Sequence, residues 1–176
     1  MRKMLITFAI VLGSCVVRNS SMPPLIDAVR SGDVETVRAL AAKGADLNAP
    51  SGGNLWPPLM HAVHKNQLGT AKALLDAGAD ADRADQSGTT ALMMAAGYGN
   101  TDMVALLVAH KANARKKNND GDNAYDFALA GMTDIDDFTW LGCNATTIAW
   151  LDKADPTLRA SASKGSLRWA KTKRCI

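Results

Sequence analysis

Apolar residues recur three and four positions apart in short runs, and the runs come in pairs. Val34, Val37, Leu40 and Ala41 make one stripe, and Met103, Leu106 and Leu107 belong to another. This is the spacing of a helix that turns one face toward a neighbour. A shorter apolar stretch precedes each stripe. The first begins at Pro23-Pro24, where proline suits a helix start, and stops at Gly32, after which Asp33 is placed to cap the next helix. The pairs then repeat: Ala28, Ala62, Ala95 and Ala128 hold the same place in successive units, 34, 33 and 33 residues apart. A fixed period of that length, with two helical patterns per unit, predicts an all-α solenoid of about four helix-turn-helix repeats. Each unit in such a stack buries its apolar face only against its neighbours.

The clearest copy spans residues 86–115, and its neighbours share its motifs. Asp85-Gln-Ser-Gly-Thr-Thr-Ala-Leu-Met93, Pro23-Pro-Leu-Ile26, Gly44-Ala-Asp-Leu-Asn-Ala49 and Gly78-Ala-Asp-Ala-Asp82 resemble the ankyrin repeat family. Its pattern runs D-x-x-G-x-T-P-L-H-x-A-A-x-x-G, then V-x-x-L-L, then G-A-D-V-N-A. The resemblance implies an ankyrin repeat domain over 23–155, with units at about 23–52, 53–85, 86–118 and 119–155. The threonine-proline-leucine-histidine box departs from the family, becoming Pro23-Pro-Leu-Ile26, Pro57-Pro-Leu-Met60 and Thr90-Ala-Leu-Met93. Its shape is kept and its histidine is lost.

In the fourth unit the pattern breaks after Gly131 and resumes at Ala149-Trp-Leu-Asp-Lys-Ala-Asp155. Residues 119–155 therefore read as an atypical C-terminal cap with an insertion at 132–144, since a terminal unit meets solvent on one side. Asp134, Asp136 and Asp137 alternate there, but the glycine and distal glutamate of a calcium loop are missing. From 156 to 176 the chain is a basic tail with six lysines and arginines and no acid, whereas residues 16–155 hold 12 basic and 17 acidic side chains. Three destinations suit it: anionic lipid, nucleic acid, or the chain's own acidic body. We read it as folding back, helped by Trp169.

Arg2-Lys3 followed by the apolar run 4–13 has the layout of a bacterial export signal and is too short to span a membrane comfortably. Leu12-Gly-Ser-Cys15 resembles a lipoprotein signal box, cut before a cysteine that carries diacylglycerol. That reading makes residues 1–14 a signal peptide, 15–22 a tether, and the chain a lipid-anchored protein facing the periplasm. The other reading is a secretory signal cut slightly later, leaving a soluble periplasmic or secreted chain. Once Cys15 is removed or lipidated, Cys143 and Cys175 remain. In an oxidising compartment they are expected to bridge, which contributes about 3–4 kcal/mol by loop entropy; in a reducing one they stay free thiols.

Chemistry is sparse. Glu35 is the single glutamate and there are three histidines. Asp46, Asp80 and Asp82 fall in turns, where short polar side chains bond nearby backbone groups. His61 and His64 stand three apart with no further ligand beside them. Met93, Met94 and Met103 suit an irregular apolar seam better than a cofactor site. No enzyme, cofactor or metal site is assigned.

What the resemblance implies instead is a protein partner held on the concave face and finger loops, with Trp56, His64, Lys65, Gln86, Thr89, Tyr98, Lys117 and Asp122 at its variable positions. Trp56, His64 and Tyr98 are central, because aromatic side chains anchor interfaces. Trp56 is either a lid on the core or a contact residue. No nucleic acid partner is expected, membrane association only through a lipid on Cys15, and a monomer in isolation. The alternatives are an accessory or inhibitor subunit of an exported enzyme, or a structural envelope protein.

Overall fold

The computed structural model describes residues 23–131 and 143–162. Paired short helices succeed one another: α1 (Pro24–Ser31) and α2 (Val34–Ala42), α3 (Pro58–His64) and α4 (Leu68–Asp76), α5 (Ala91–Tyr98) and α6 (Thr101–Ala109), α7 (Ala124–Ala130) and α8 (Ala145–Ala154), then one turn, α9 (Leu158–Ser161). Among the described residues the fold is all-α. Odd-numbered helices pack in one row, α1 on α3 on α5 on α7, and even-numbered ones in a second, α2 on α4 on α6 on α8. Their seam is the core, where Val29, Met60, Leu74, Leu92, Met103, Leu107 and Leu129 are buried.

Local chemistry sets the boundaries. Proline opens α1 and α3 within the first turn, where its missing N–H costs nothing. Asp33 caps α2 by accepting from the Thr36 N–H at 3.0 Å and its hydroxyl at 2.6 Å. Asn123 caps α7 by accepting from Tyr125 and Asp126 N–H groups, and the Asp126 carboxylate accepts from the Asn123 N–H at 2.9 Å.

One bond identifies the repeats. The N–H of Asp33 donates to the Ala28 carbonyl, Gln67 to Ala62, Asn100 to Ala95, and Asn144 to Ala128, all at 2.9–3.0 Å. The periodic alanines are thus the points where each second helix is pinned to its first. Asn144, which the sequence places at the end of the insertion, is the residue that starts α8.

The turns between repeats are laced together. Asp80 N–H donates to Asn48 Oδ1 at 2.9 Å, Asn113 N–H to Asp82 Oδ1 at 2.8 Å, and the Arg115 guanidinium to Asp155 at 2.9 Å and Thr157 Oγ1 at 2.6 Å. Asp46, Asp80 and Asp82 therefore act on backbone N–H groups in the turns, Asp46 and Asp80 within their own turns and Asp82 across to the next.

Folded structure continues past Pro156, where the sequence pattern ends and the basic tail was expected to begin. Leu158 is fully buried, Asn123 donates to Ser161 Oγ at 3.0 Å, and Arg159 reaches back to Tyr125 Oη and Asp152, both at 2.9 Å. One turn of helix is too short to leave a periodic trace. Arg159, the first basic residue of that stretch, pairs with Asp152; residues 163–176, including Trp169 and Cys175, lie outside the described residues, as do the signal segment 1–14, Cys15, the tether 15–22 and the aspartates 134, 136 and 137.

Candidate binding face

Three fingers project at the inner row, each closed by the same backbone bond. The N–H groups of Ser51, Asp85 and Asn118 donate to the carbonyls of Trp56, Thr89 and Asp122 at 2.9, 3.0 and 2.9 Å. Those three acceptors are 33 residues apart and hold equivalent places. The first finger is one residue longer than the others, and Leu55 takes a positive φ of 54° there. That extra length brings the Trp56 ring over the inner helices, where it packs half-buried against the core.

Trp56 is the centre of an aromatic string across two repeats. Its ring meets His61 edge-on at 5.5 Å between centroids and His64 at 5.2 Å. His64 Nδ1 then bonds Tyr98 Oη at 2.8 Å, with their rings 6.0 Å apart. Trp56, His64 and Tyr98 are thus brought together, with Trp56 half-buried against the core.

His61 is the hidden member, only 9% exposed, with Nε2 at 2.8 Å from Ser51 Oγ. Burial, reinforced by the charge of Arg30 and by His64, pushes its pKa down to about 4, so the ring is neutral at physiological pH. A buried histidine bond to a finger therefore exists here, one position along from the box that lost its histidine. The two imidazoles face different partners, and no group of three or more metal-ligating side chains occurs among the described residues.

Trp56 separates two hollows. On one side a cavity of about 240 Å³ is lined by Arg30, Ser51, Asn54, His61, His64 and Lys65. On the other an open cavity of about 450 Å³ is lined by Gln86, Thr89, Met94, Phe127 and Asp85. Asp85 Oδ1 is committed to the Ser87 N–H and hydroxyl and the Thr89 N–H, at 2.8–2.9 Å. Thr89 is buried and its hydroxyl bonds Ser87 at 2.8 Å, so it shapes the second finger from beneath. Gln86 and Lys65 are exposed at the rims. Lys117 is exposed on the third finger and Asp122 half-buried there; neither lines either cavity.

Arg30, Phe127 and Ser51 escaped sequence reasoning. Arg30 and Phe127 are scattered on α1 and α7, and only the stacking of repeats brings them beside Trp56. Ser51 carried a usable signal, since it precedes a Gly-Gly turn and opens the finger.

The stacked helix pairs and their pinned fingers agree with the family comparison. A family described as ankyrin repeats (3 copies) matches residues 59–146, and one described as ankyrin repeats (many copies) matches residues 25–75. The chain belongs to the ankyrin repeat family. A comparison with curated proteins finds no match. Ankyrin repeats generally mediate protein–protein interaction and are typically not enzymes. In this ankyrin repeat protein the face made by the inner helices and fingers carries Trp56, His61, His64 and Tyr98 in one contiguous string, with Phe127 lining the larger hollow beside Trp56, and no helix among the described residues is long and apolar enough to cross a membrane.

Proposed function

We propose that this ankyrin repeat protein is an exported module that holds one protein partner on its concave face, with Trp56, His64 and Tyr98 at the centre of the contact. The observation that carries the reading is the string itself. Trp56 buries its inner side on the core and offers its outer side between two hollows, while His64 and Tyr98 hold each other through a 2.8 Å bond. A rigid aromatic anchor of this kind loses little entropy on binding.

Export rests on the basic-then-apolar start of the chain and on Leu12-Gly-Ser-Cys15; a lipid on Cys15 keeps the domain at the membrane surface. Cys143, half-buried before α8, is proposed to pair with Cys175 in that compartment.

A crosslinked pull-down from envelope extract tests the binding reading by comparing the native chain with a Trp56→Ala, Tyr98→Ala double variant of native helicity. Loss of one protein from the variant's catch is the expected result. If that protein is an enzyme, its activity with and without the chain decides whether binding inhibits it. An identical catch removes the concave face from consideration. For the anchor, Cys15→Ser is expected to move the protein from the membrane to the soluble fraction.

A further inference from the structure

The larger hollow beside Trp56 is built from three successive repeats. Met94 on α5 forms its floor at 2% exposure, and Phe127 on α7 stands half-buried beside it. The two hold equivalent places, 33 residues apart. Trp56 supplies a further wall from the first finger. Asp85 is the single charged side chain lining the hollow, and among the described residues no lysine, arginine or histidine joins it there.

The charge of Asp85 is more than its turn requires. Its Oδ1 accepts from the N–H groups two and four residues on, Ser87 at 2.8 Å and Thr89 at 2.9 Å. One finger later Asn118 Oδ1 accepts from the N–H groups of Asp120 at 3.0 Å and Asp122 at 2.9 Å. A neutral amide thus builds the same turn at the equivalent place. What the carboxylate adds is a negative charge on an aromatic hollow.

That combination selects its ligand. An anion is repelled there, and a wholly apolar side chain would strip water from the carboxylate without replacing it. A cation on a long apolar stem meets both demands, since its head pairs with the carboxylate over a π face while its methylenes cover apolar surface. Arginine meets them better than lysine. Its planar guanidinium stacks on an indole, and its five N–H donors serve Asp85 together with the amide oxygens of Asn54 and Gln86, which line the same hollow.

We propose that the hollow takes an arginine side chain of the partner, with its guanidinium at Asp85 and the Trp56 ring and its methylenes against Met94 and Phe127. This rests on the concave-face reading above and adds the chemistry of the group recognised. The carboxylate supplies salt-sensitive orientation; the aromatic walls, closed to water once the arginine is seated, supply the retention.

The test uses the full processed chain and a capped Gly-Gly-Arg-Gly-Gly peptide, with twins in which lysine or the neutral isostere citrulline replaces the arginine. Binding is followed by NMR titration, read at the Trp56 indole N–H, at low and high salt. The arginine peptide is expected to bind about tenfold tighter than its citrulline twin, and tighter than its lysine twin. The preference over citrulline is expected to shrink at high salt and to vanish in Asp85→Asn, a change whose turn Asn118 already exemplifies. It is expected to survive in Asp102→Asn, which makes the same charge change at an exposed place on α6 away from both hollows.

Equal binding of the arginine peptide and either twin, or no binding at millimolar concentration, overturns the proposal. Binding seen only after Lys164, Arg168, Lys171, Lys173 and Arg174 are all changed to glutamine overturns it too, and gives the hollow to the chain's own tail. The pull-down keeps the two readings apart. A partner captured equally by native chain and Asp85→Asn, but lost from the Trp56→Ala, Tyr98→Ala variant, overturns arginine recognition and leaves the concave face as the binding surface.

Discussion

His61 shows how one side chain joins stability to the candidate binding face. Unfolded, its imidazole takes a proton near the ordinary value of 6.5; folded, it does so only near about 4. Between those values the unfolded chain binds a proton that the native chain does not, so stability is full above pH 6.5 and falls as pH drops through this window. The shift corresponds to a loss of about 3 kcal/mol for a ring this well buried. The lowered carboxylates, Asp33 under its Thr36 bonds, Asp76 beside Lys72 and Asp155 under Thr157, give up their contributions only as pH falls below 3.8, which separates the two effects. Urea midpoints are expected to decline between pH 6.5 and about 4 in the native chain. The decline is expected to flatten in His61→Gln, and an equal slope in both would assign it to other groups. Neighbouring His61, Trp56 was legible as either a lid on the core or a contact residue, but its footing on Ser51 and His61 was not, because that footing depends on how a seven-residue link folds back.

Among elements, α8 is held by a clasp that no periodicity announces. Asn144 Nδ2 donates to the carbonyls of Gly97 at 2.7 Å and Ala96 at 3.2 Å, at the end of α5 in the preceding repeat. Gln67 does the same at Arg30 with a 3.0 Å bond. Removing the clasp leaves half-buried carbonyls without that donor, a cost of about 1–3 kcal/mol. Asn144→Ala is expected to speed proteolysis within 145–162 while leaving cleavage within α1 to α4 unchanged. Gly99 opposes the same residue: its φ of 73° is left-handed, and a Cβ there would stand 2.6 Å from Asn144 Oδ1. Gly99→Ala is therefore expected to loosen the same segment, and uniform destabilisation of all helices by either change would refute the clasp. Asn144 was missed because the side chain matters only once α5 and α8 are adjacent, and in sequence they are separated by the interruption after Gly131.

At the scale of the molecule, stability follows position in the stack. In α5 seven of eight residues, Ala91 to Gly97, are buried, whereas α2, at one end of the outer row, buries only Val37. Hydrogen exchange is expected to release α2 first and α5 last, since each unit leans on its neighbours; the reverse order would mean that the chain opens as a single block. The repeat architecture was legible almost entirely, because a 33-residue period survives any single substitution. Of the candidate face, Trp56, His64, Lys65, Gln86 and Tyr98 were legible as positions. Their grouping into two hollows beside one indole was not, as it depends on which side of Trp56 each residue falls. The bond that pins Asn144 to Ala128 spans sixteen residues, where its counterpart from Asn100 to Ala95 spans five, and the longer loop costs only about 1 kcal/mol more to close. The second helix of a unit is thus located by its amide and its alanine, not by the length of chain between them. The interval after Gly131 is consequently a place where sequence of other lengths can be spliced while α7 and α8 keep their places.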